Sequence, residues 1–194
     1  MSQRLIFVMG PSGAGKDSVL DWLRQHLPAQ QALHWTRRTI TRPADAGGEQ
    51  HEAITPADFA AQKAAGAFAL TWQAHDLCYG IRQSELAPLA RGEWVVVNGS
   101  REYLAQAMER FPGLSGVLIT ASPAILAQRL AARKRENAEQ IAERLRRSAA
   151  FQLPPGMIVI HNDGRLEEAG AALLAALQAL PGWPAPVNSG PEGL

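Results

Sequence analysis

The sequence predicts an α/β fold with a parallel sheet flanked by helices. Four short apolar runs lie along the chain, and each stands close to a segment with helical periodicity, an alternation typical of parallel sheets. The runs are apolar at every position, as expected for strands that are buried on both faces. A glycine-rich turn joins the first run directly to the first helical segment. These observations favour one ordinary α/β domain in a chain of 194 residues.

The elements follow from the same patterns in chain order. Strands are predicted over residues 5–9, 94–97, 117–119 and 157–160. Helices are predicted over residues 18–26, 101–110, 123–133, 138–150 and 166–180. In the last helix, Leu166, Ala169, Leu173 and Leu177 recur at three- and four-residue steps, so they share one helix face.

The regular alternation breaks down over residues 37–91, where Arg, Gly and Pro residues surround one short helical pattern near residues 58–65. We interpret this stretch as an inserted subdomain beside the carboxyl edge of the sheet, where open α/β sheets bind ligands. The predicted organisation is a single domain over residues 1–180, with a core formed by residues 1–36 and 92–180. Residues 181–194 carry Pro, Gly, Asn and Ser without periodicity and are predicted to be a flexible tail.

Composition and charge exclude several classes of protein. Hydrophobic residues make up 46% of the chain and charged residues 19%, which is the mixture of a soluble folded protein. The formal net charge of +1 lacks the broad basic footprint of a nucleic-acid-binding protein. A single cysteine excludes an internal disulfide framework, and no apolar stretch approaches the ~20 residues of a membrane helix. We therefore expect a cytoplasmic protein that binds neither nucleic acid nor membranes.

Residues 10–16, GPSGAGK, match the GxxxxGK pattern of a phosphate-binding loop, directly after a predicted strand and before a predicted helix. The glycines allow successive backbone N–H groups to surround phosphate oxygens, and the helix N-terminus adds the positive end of its dipole. Lys16 is expected to reach the terminal phosphates. The segment therefore predicts an ATP site. Its residues are Gly10, Pro11, Ser12, Gly13, Ala14, Gly15, Lys16, Asp17 and Ser18.

Asp17 stands where the general pattern has Ser or Thr, whose hydroxyl binds Mg²⁺. A carboxylate beside a triphosphate repels it unless a hydrated Mg²⁺ lies between them. Asp17 is therefore predicted to bind Mg²⁺ directly or through water. The alternative is that Asp17 is a first-turn carboxylate stabilised by the helix dipole.

Six segments together carry a resemblance to a known family. They are GPSGAGKDS at residues 10–18, RRTITRPADAGGEQH at 37–51, WQAHDLCYGI at 72–81, VVVNGSR at 95–101, RKRENAEQIAERL at 133–145 and HNDG at 161–164. With them the chain resembles the guanylate kinase superfamily of P-loop nucleoside monophosphate kinases, and within it the ribose 1,5-bisphosphate phosphokinases of phosphonate degradation. The resemblance implies a P-loop kinase fold and ATP-dependent phosphorylation of ribose 1,5-bisphosphate to 5-phosphoribosyl 1-diphosphate, with Mg²⁺ as cofactor.

The resemblance also implies an acceptor site in the inserted subdomain. Residues 40–42 are similar to the segment that binds the acceptor phosphate in guanylate kinases, so Arg42 is the first candidate ligand and Arg38 the second. Tyr79 belongs to a Tyr-Gly pair near that phosphate. The implied acceptor residues are Arg38, Arg42, Glu49, His51, Tyr79, Arg82 and Asn98. For Glu49 and His51, the alternative is that they hold the subdomain's own turns.

Departures from the guanylate kinase pattern point away from a nucleotide acceptor. Thr71 stands before a tryptophan where a guanine-reading Glu is expected, and Ile81 and Arg82 replace a Thr-Ser pair. Val96 and Asn98 replace two aspartates. A site without these polar groups cannot select guanine, which favours a phosphosugar. Arg82 either adds positive charge for a second phosphate or is an exposed residue at the start of a helix.

The resemblance further implies a lid of about residues 129–147. Its arginines would neutralise charge on the transferring phosphoryl group. The implied catalytic residues are Lys16, Arg129, Arg133 and Arg144, and Arg135, Asn162 and Asp163 are implied at the bound ATP. Two alternatives stay open: a solvated helical charge run in place of the lid, and a plain turn at residues 162–164. The acceptor oxygen is already ionised, so no strong general base is expected.

Three other functions share parts of this pattern. A nucleoside monophosphate kinase uses the same loop but needs groups that read a base. A non-catalytic guanylate kinase-like interaction domain is expected to have a degraded phosphate loop, whereas Gly10, Gly15 and Lys16 are intact. A small-metabolite kinase of the gluconate or shikimate type shares the loop without the other segments. The phosphosugar kinase is therefore the favoured hypothesis.

Overall fold

The structure is a computed structural model, and it describes residues 2–27, 33–45, 49–74, 76–132 and 137–184. Its strands are Leu5–Met9 (β1), Leu33–Trp35 (β2), Arg38–Ile40 (β3), Glu52–Ala53 (β4), Phe68–Ala74 (β5), Leu77–Arg82 (β6), Trp94–Asn98 (β7), Ser115–Thr120 (β8) and Ile158–His161 (β9). Its α-helices are Lys16–His26 (α1), Pro56–Ala64 (α2), Gln83–Leu86 (α3), Leu104–Arg110 (α4), Pro123–Ala132 (α5), Ala138–Ala149 (α6) and Leu166–Gln178 (α7).

Within the described ranges, a parallel five-stranded sheet has the strand order β2-β7-β1-β8-β9 and is flanked by helices. The four strands predicted from apolar runs are all present as β1, β7, β8 and β9, with ends that differ by one or two residues. Every residue of β1 is buried, as its unbroken apolar run predicts. The sequence patterns do not predict β2. That strand lies at an edge of the sheet and is only half-buried, so it needs no continuous apolar run.

The predicted helices are also present, with local differences at their ends. α1 begins at Lys16, two residues before the predicted start, because the phosphate loop leads directly into it. The predicted helix over residues 101–110 begins as a 3-10 turn at Arg101–Tyr103 and becomes α-helical at Leu104. α6 begins after Asn137, whose side chain accepts a hydrogen bond from the backbone N–H of Gln140 and so caps the helix.

A second sheet, in the order β4-β3-β6-β5, is formed by strands that the periodicity analysis does not predict. β6 pairs antiparallel with both β3 and β5, and a register irregularity lies between Phe68 and Leu70 in β5. These strands mix polar and apolar residues, so a search for apolar runs does not find them. All of them lie within residues 37–91, the range interpreted as an insertion, and α2 takes the place of the predicted short helix.

Contacts divide the chain into two compact units. The first unit is formed by Met1–Met9 and Leu33–Val117, and the second unit by Gly10–Ala32 and Leu118–Leu194. The phosphate loop and α1 are in the second unit together with α5, α6 and α7, whereas the second sheet belongs to the first unit. The division into a core, an insertion and a lid stays a prediction.

None of the helices in the described part of the chain is both long enough and apolar enough to cross a membrane.

Candidate phosphate-loop and acceptor sites

The phosphate loop occupies residues 10–15 of the second unit and ends where α1 begins. Gly15 has a φ of 75°, in the left-handed region that residues with a side chain avoid. At Gly10 the restriction is steric, because a Cβ there would lie 2.2 Å from the carbonyl oxygen of Ile119. Both glycines are therefore required by the loop's shape. The loop places the first turn of α1, with its positive dipole end, beside the residues predicted to bind phosphate.

Lys16 and Asp17 form an ion pair at the start of α1. Lys16 Nζ donates a hydrogen bond to Asp17 Oδ1 over 3.1 Å. The Lys16 side chain is 13% exposed, whereas that of Asp17 is 60% exposed. The Lys16 side chain is therefore largely buried, whereas that of Asp17 is open to solvent. The exposed hard oxygens of its carboxylate are the ligand type that Mg²⁺ prefers, so Asp17 fits the predicted metal role.

Two of the predicted lid arginines contact the phosphate loop. Arg144 on α6 donates from Nη1 to Ser12 Oγ over 3.0 Å. Arg129 on α5 donates from Nη1 to the carbonyl oxygen of Gly13 over 3.4 Å. Arg133 and Arg135, which the resemblance also implies, lie outside the described residues. Arg129 and Arg144 thus approach the loop that is expected to hold the phosphates.

A cavity of about 400 Å³ lies next to the loop within the second unit. It is lined by Gly13, Gly15, Ser18, Arg129, Ala132, Asn162, Gly164 and Leu166. Loop glycines, a cationic side chain and a polar amide thus share one concave surface, which is the usual character of a small-molecule site. Four of the residues predicted at ATP, and the implied catalytic Arg129, are brought together here.

Asn162 and Asp163 follow β9 but make different contacts. Asn162 is 4% exposed, and its Nδ2 donates to the carbonyl oxygen of Ala14 in the loop over 2.8 Å. Asp163 Oδ1 instead accepts from the backbone N–H of Ser122 over 2.6 Å, directly before α5 begins. This backbone hydrogen bond holds the pKa of Asp163 below its ordinary value. Asp163 therefore caps the start of α5, a contact that the sequence did not predict.

In the first unit, Arg38, Glu49 and Asn98 form a hydrogen-bonded chain. Arg38 Nε donates to Glu49 Oε1 over 2.6 Å, and Asn98 Nδ2 donates to Glu49 Oε2 over 3.2 Å. The guanidinium carbon of Arg38 also lies 5.2 Å from the centre of the Tyr79 ring. Four of the predicted acceptor residues are therefore neighbours. Glu49 orients two of them through its two carboxylate oxygens.

His51 and Arg42 form a second pair beside this chain. His51 is 5% exposed, with Nε2 3.0 Å from the carbonyl oxygen of Arg42 and Nδ1 3.1 Å from the carbonyl oxygen of Glu49. His51 thus contacts the backbone on both sides of the turn, which is the alternative role considered for it. The Nε atom of Arg42 is buried and has no hydrogen-bond partner among the described residues. A buried N–H donor without an acceptor lowers the stability of the fold. The Nη2 atom of the same guanidinium lies 3.3 Å from His51 Nδ1.

The structure does not bring Arg82 together with the other acceptor candidates. Its Nε and Nη2 atoms donate to the two carboxylate oxygens of Glu52 over 2.6 Å each, and Nη2 also donates to Gln62 Oε1 over 2.8 Å. Arg82 lies three residues after Tyr79 on β6, so the two side chains leave opposite faces of the sheet. The hydrogen bonds from Arg82 hold the pKa of Glu52 below its ordinary value.

An aromatic stack beside Tyr79 was missed by the sequence analysis. The Trp72 ring lies parallel to the Tyr79 ring, with their centres 5.4 Å apart, and Tyr103 tilts against Trp72 at 5.8 Å. Because β6 lies between β3 and β5, Arg38 and Trp72 flank the Tyr79 ring from two sides. No local pattern signals this stack, since it depends on the pairing of Trp72 with Tyr79 across two strands.

The fold and the loop define the class of the protein. A parallel sheet, a glycine-rich loop that enters α1 at a lysine, and arginines that contact the loop are together the features of a P-loop kinase. A solved guanylate kinase from Anaplasma phagocytophilum has the same fold, with a TM-score of 0.67, 16% sequence identity, and coverage of 90% of this chain and 84% of that chain. No protein-family model matches the sequence.

Curated relatives identify the family. The chain is 51% identical over 174 residues to the ribose 1,5-bisphosphate phosphokinase PhnN of Chromobacterium violaceum, covering 90% of this chain and 93% of that protein. It is 48% identical over 179 residues to the same-named protein of Pseudomonas paraeruginosa, covering 91% and 96%. The chain is also 53% identical over 176 residues, or 91% of its length, to the same-named protein of Laribacter hongkongensis. That protein is longer, and this chain spans only 43% of it. The chain belongs to the ribose 1,5-bisphosphate phosphokinase family.

Proposed function

We propose that this chain transfers the terminal phosphoryl group of ATP to the 1-phosphate of ribose 1,5-bisphosphate, with 5-phosphoribosyl 1-diphosphate and ADP as products. The observation that carries the proposal is the similarity to phosphokinases of that name over nearly the whole length of both chains. An oxygen of the 1-phosphate attacks the γ-phosphorus, and the bond from that phosphorus to the β,γ-bridging oxygen breaks. The acceptor oxygen is already ionised, so the reaction needs no strong general base.

The donor half of the reaction is assigned to the second unit. The loop's N–H groups and Lys16 hold the triphosphate of ATP. The base and ribose of ATP occupy the cavity lined by Arg129 and Asn162. Arg144 and Arg129 supply positive charge to the oxygens of the moving phosphoryl group, where phosphoryl transfer needs it most. Their hydrogen bonds to Ser12 and Gly13 support this assignment, because they keep both guanidinium groups beside the loop.

Mg²⁺ is the implied cofactor, and Asp17 is the residue we assign to it. Its exposed carboxylate and the neighbouring Lys16 ammonium would hold a hydrated cation and a triphosphate side by side. When bound, Mg²⁺ would neutralise negative charge on the triphosphate. Lys16 would orient the terminal phosphate, and Asp17 would hold the metal.

The acceptor half is assigned to the first unit. Arg42 brings a guanidinium group whose Nη2 lies 3.3 Å from His51 Nδ1, and Arg38 adds a guanidinium held by Glu49. A phosphate oxygen suits both donors. The Tyr79 ring is stacked on Trp72 and has the Arg38 guanidinium over it, so both contacts compete with the stacking of a base on this ring. A phosphorylated sugar therefore fits these residues better than a nucleotide.

The proposal includes a cytoplasmic location, because ATP is the donor. It also includes the absence of nucleic-acid and membrane partners, since the net charge of +1 provides no extended basic surface. Its place in metabolism is the one that the family resemblance implies, the degradation of phosphonates.

The test is an ATP-consumption assay with purified protein against ribose 1,5-bisphosphate, ribose 5-phosphate, GMP and AMP. We expect ribose 1,5-bisphosphate to give a kcat/KM at least about 100-fold above the other three. GMP and AMP find no groups that read their bases, and ribose 5-phosphate has no 1-phosphate to accept the phosphoryl group. Preferred phosphorylation of GMP or AMP would overturn the proposal in favour of a nucleoside monophosphate kinase. Lack of ATP consumption with all four acceptors would favour a non-catalytic domain.

A further inference from the structure

Asn162 makes a contact that its place beside the ATP cavity does not by itself explain. Its side-chain amide is buried and donates to the carbonyl oxygen of Ala14 over 2.8 Å, across 148 residues of sequence. Its backbone N–H donates to the carbonyl oxygen of Thr120 over 2.8 Å. The side chain is therefore fixed at its base by β8 and directed at one peptide group of the phosphate loop.

That peptide group joins Ala14 to Gly15. A trans peptide is planar, and its C=O and N–H bonds point in opposite directions. A donor that holds the carbonyl oxygen of Ala14 on one side therefore directs the N–H of Gly15 to the other side. The N–H groups of a phosphate loop bind phosphate only when they point inward together, so the orientation of this peptide matters for anion binding.

Gly15 is suited to the same contact. A Cβ on Gly15 would lie 2.5 Å from Asn162 Nδ2, so a side chain there would push the amide away from the loop. The φ of 75° at Gly15 is also one that a larger residue would resist. The approach of Asn162 and the left-handed conformation of Gly15 thus depend on each other.

We propose that Asn162 is a positioning residue that sets the Gly15 N–H for phosphate binding. The inference rests on the proposed function, in which the loop holds the triphosphate of ATP. It goes beyond that function because Asn162 acts through the loop backbone, independently of any contact with the base. If Asn162 contacted the base, its loss would weaken the binding only of ligands that carry a base. A positioning role instead predicts weaker binding of every ligand that carries the phosphates.

The experiment compares two ligands, ATP and inorganic tripolyphosphate, which carries the phosphates without base or ribose. Binding to the full chain is measured by calorimetry for the unaltered protein, for Asn162→Ala and for the isosteric Asn162→Asp. Asn162→Ala removes the donor, and Asn162→Asp keeps the shape but offers only acceptor atoms when ionised. Thermal unfolding of each variant checks that the fold is retained.

We expect Asn162→Ala to weaken ATP and tripolyphosphate by the same factor, about 10-fold or more, the size expected when a buried hydrogen bond is lost. We expect Asn162→Asp to weaken both at least as much, and the KM for the acceptor to change little in either variant. Weaker ATP binding with unchanged tripolyphosphate binding would overturn the proposal and assign Asn162 to the base. Unchanged binding of both ligands in folded variants would overturn it as well.

The same experiment separates this inference from the proposed function. If the unaltered protein binds ATP and tripolyphosphate but does not phosphorylate ribose 1,5-bisphosphate, the positioning role stands and the proposed acceptor is wrong. If it binds neither ligand at millimolar concentration, the phosphate loop itself does not bind phosphates, and both conclusions fail.

Discussion

Arg144 on α6 donates a hydrogen bond to the Ser12 hydroxyl of the phosphate loop over 3.0 Å. The next arginine along the same helix, Arg146, instead pairs with Glu143, and its side chain is 72% exposed. One helix therefore carries one arginine that approaches the loop and another that forms an ordinary surface ion pair. This contrast separates the catalytic interpretation of the arginines from the interpretation as a solvated charge run, and it gives the first prediction its control.

Arg144→Ala is expected to lower kcat by about 100- to 1,000-fold, since it removes a positive charge from the transferring phosphoryl group. Arg146→Ala removes the same charge from the same helix but is expected to change kcat less than about 3-fold, because exposed ion pairs contribute little. Steady-state kinetics at saturating ATP measures both. Equal, small effects of the two substitutions would assign Arg144 to the surface charge run.

Asp17→Asn is expected to raise the concentration of free Mg²⁺ at half-maximal rate by about 10-fold, because a neutral amide is a poorer partner for a hard cation. Activity should recover partly as Mg²⁺ is increased. Asp21→Asn is the control, since Asp21 is also an exposed acid on α1 but pairs with Arg24 over 2.9 Å. If the Mg²⁺ dependence of Asp17→Asn matches that of the unaltered protein, Asp17 serves only the helix dipole.

Arg42→Ala is expected to raise the KM for the acceptor by about 10- to 100-fold while the KM for ATP changes less than about 3-fold, as fits a charge-assisted contact with a ground-state phosphate. Arg82→Ala is the matched control in the same unit. The Arg82 side chain leaves the face of β6 opposite to that of Tyr79 and donates hydrogen bonds to Glu52. Initial rates with each substrate varied in turn measure both constants. A similar rise in both KM values would contradict the assignment of Arg42 to the acceptor alone.

Arg82→Ala is expected to affect stability rather than catalysis, lowering the free energy of unfolding by about 1 kcal/mol after allowance for solvent screening of this pair, whose side chains are 27% and 34% exposed. The lowered pKa of Glu52 also fixes the sign of a pH effect. A carboxyl whose pKa is lower in the folded state stabilises the fold above its unfolded pKa, and the contribution is lost as the pH falls through the folded pKa. The midpoint temperature of thermal unfolding should therefore fall less steeply from neutral to acid pH in Arg82→Ala than in the unaltered protein. An identical slope would show that the pair contributes nothing.

Local patterns predicted the parts of the fold that depend on neighbours in sequence. The unbroken apolar run of β1 and the GxxxxGK loop specify a buried strand, a turn and a helix start within residues 5–16. β3, β5 and β6 were missed because strands that mix polar and apolar residues without strict alternation carry no strong period. Their pairing depends on partners that are distant in the chain.

The candidate site shows the same limit. Residues of the loop could be assigned from spacing, but the contact of Asn162 with Ala14 joins residues 148 positions apart and has no local signal. The capping role of Asp163 at α5 is similar, since Ser122 is 41 residues away. Arg82 shows a limit of another kind: the sequence leaves open whether it binds a second phosphate or stands at the start of a helix, and only the structure shows that alternation along β6 directs its side chain away from Tyr79.

The measurement that tests the central claim most directly is a phosphorus NMR spectrum of the reaction with ATP, Mg²⁺ and ribose 1,5-bisphosphate. The account predicts that the 1-phosphate signal is replaced by the coupled pair of signals of a diphosphate on the anomeric carbon, with one ADP formed for each sugar diphosphate and the 5-phosphate signal unchanged. Formation of ADP with inorganic phosphate and an unchanged sugar, or modification at the 5-phosphate, would contradict it.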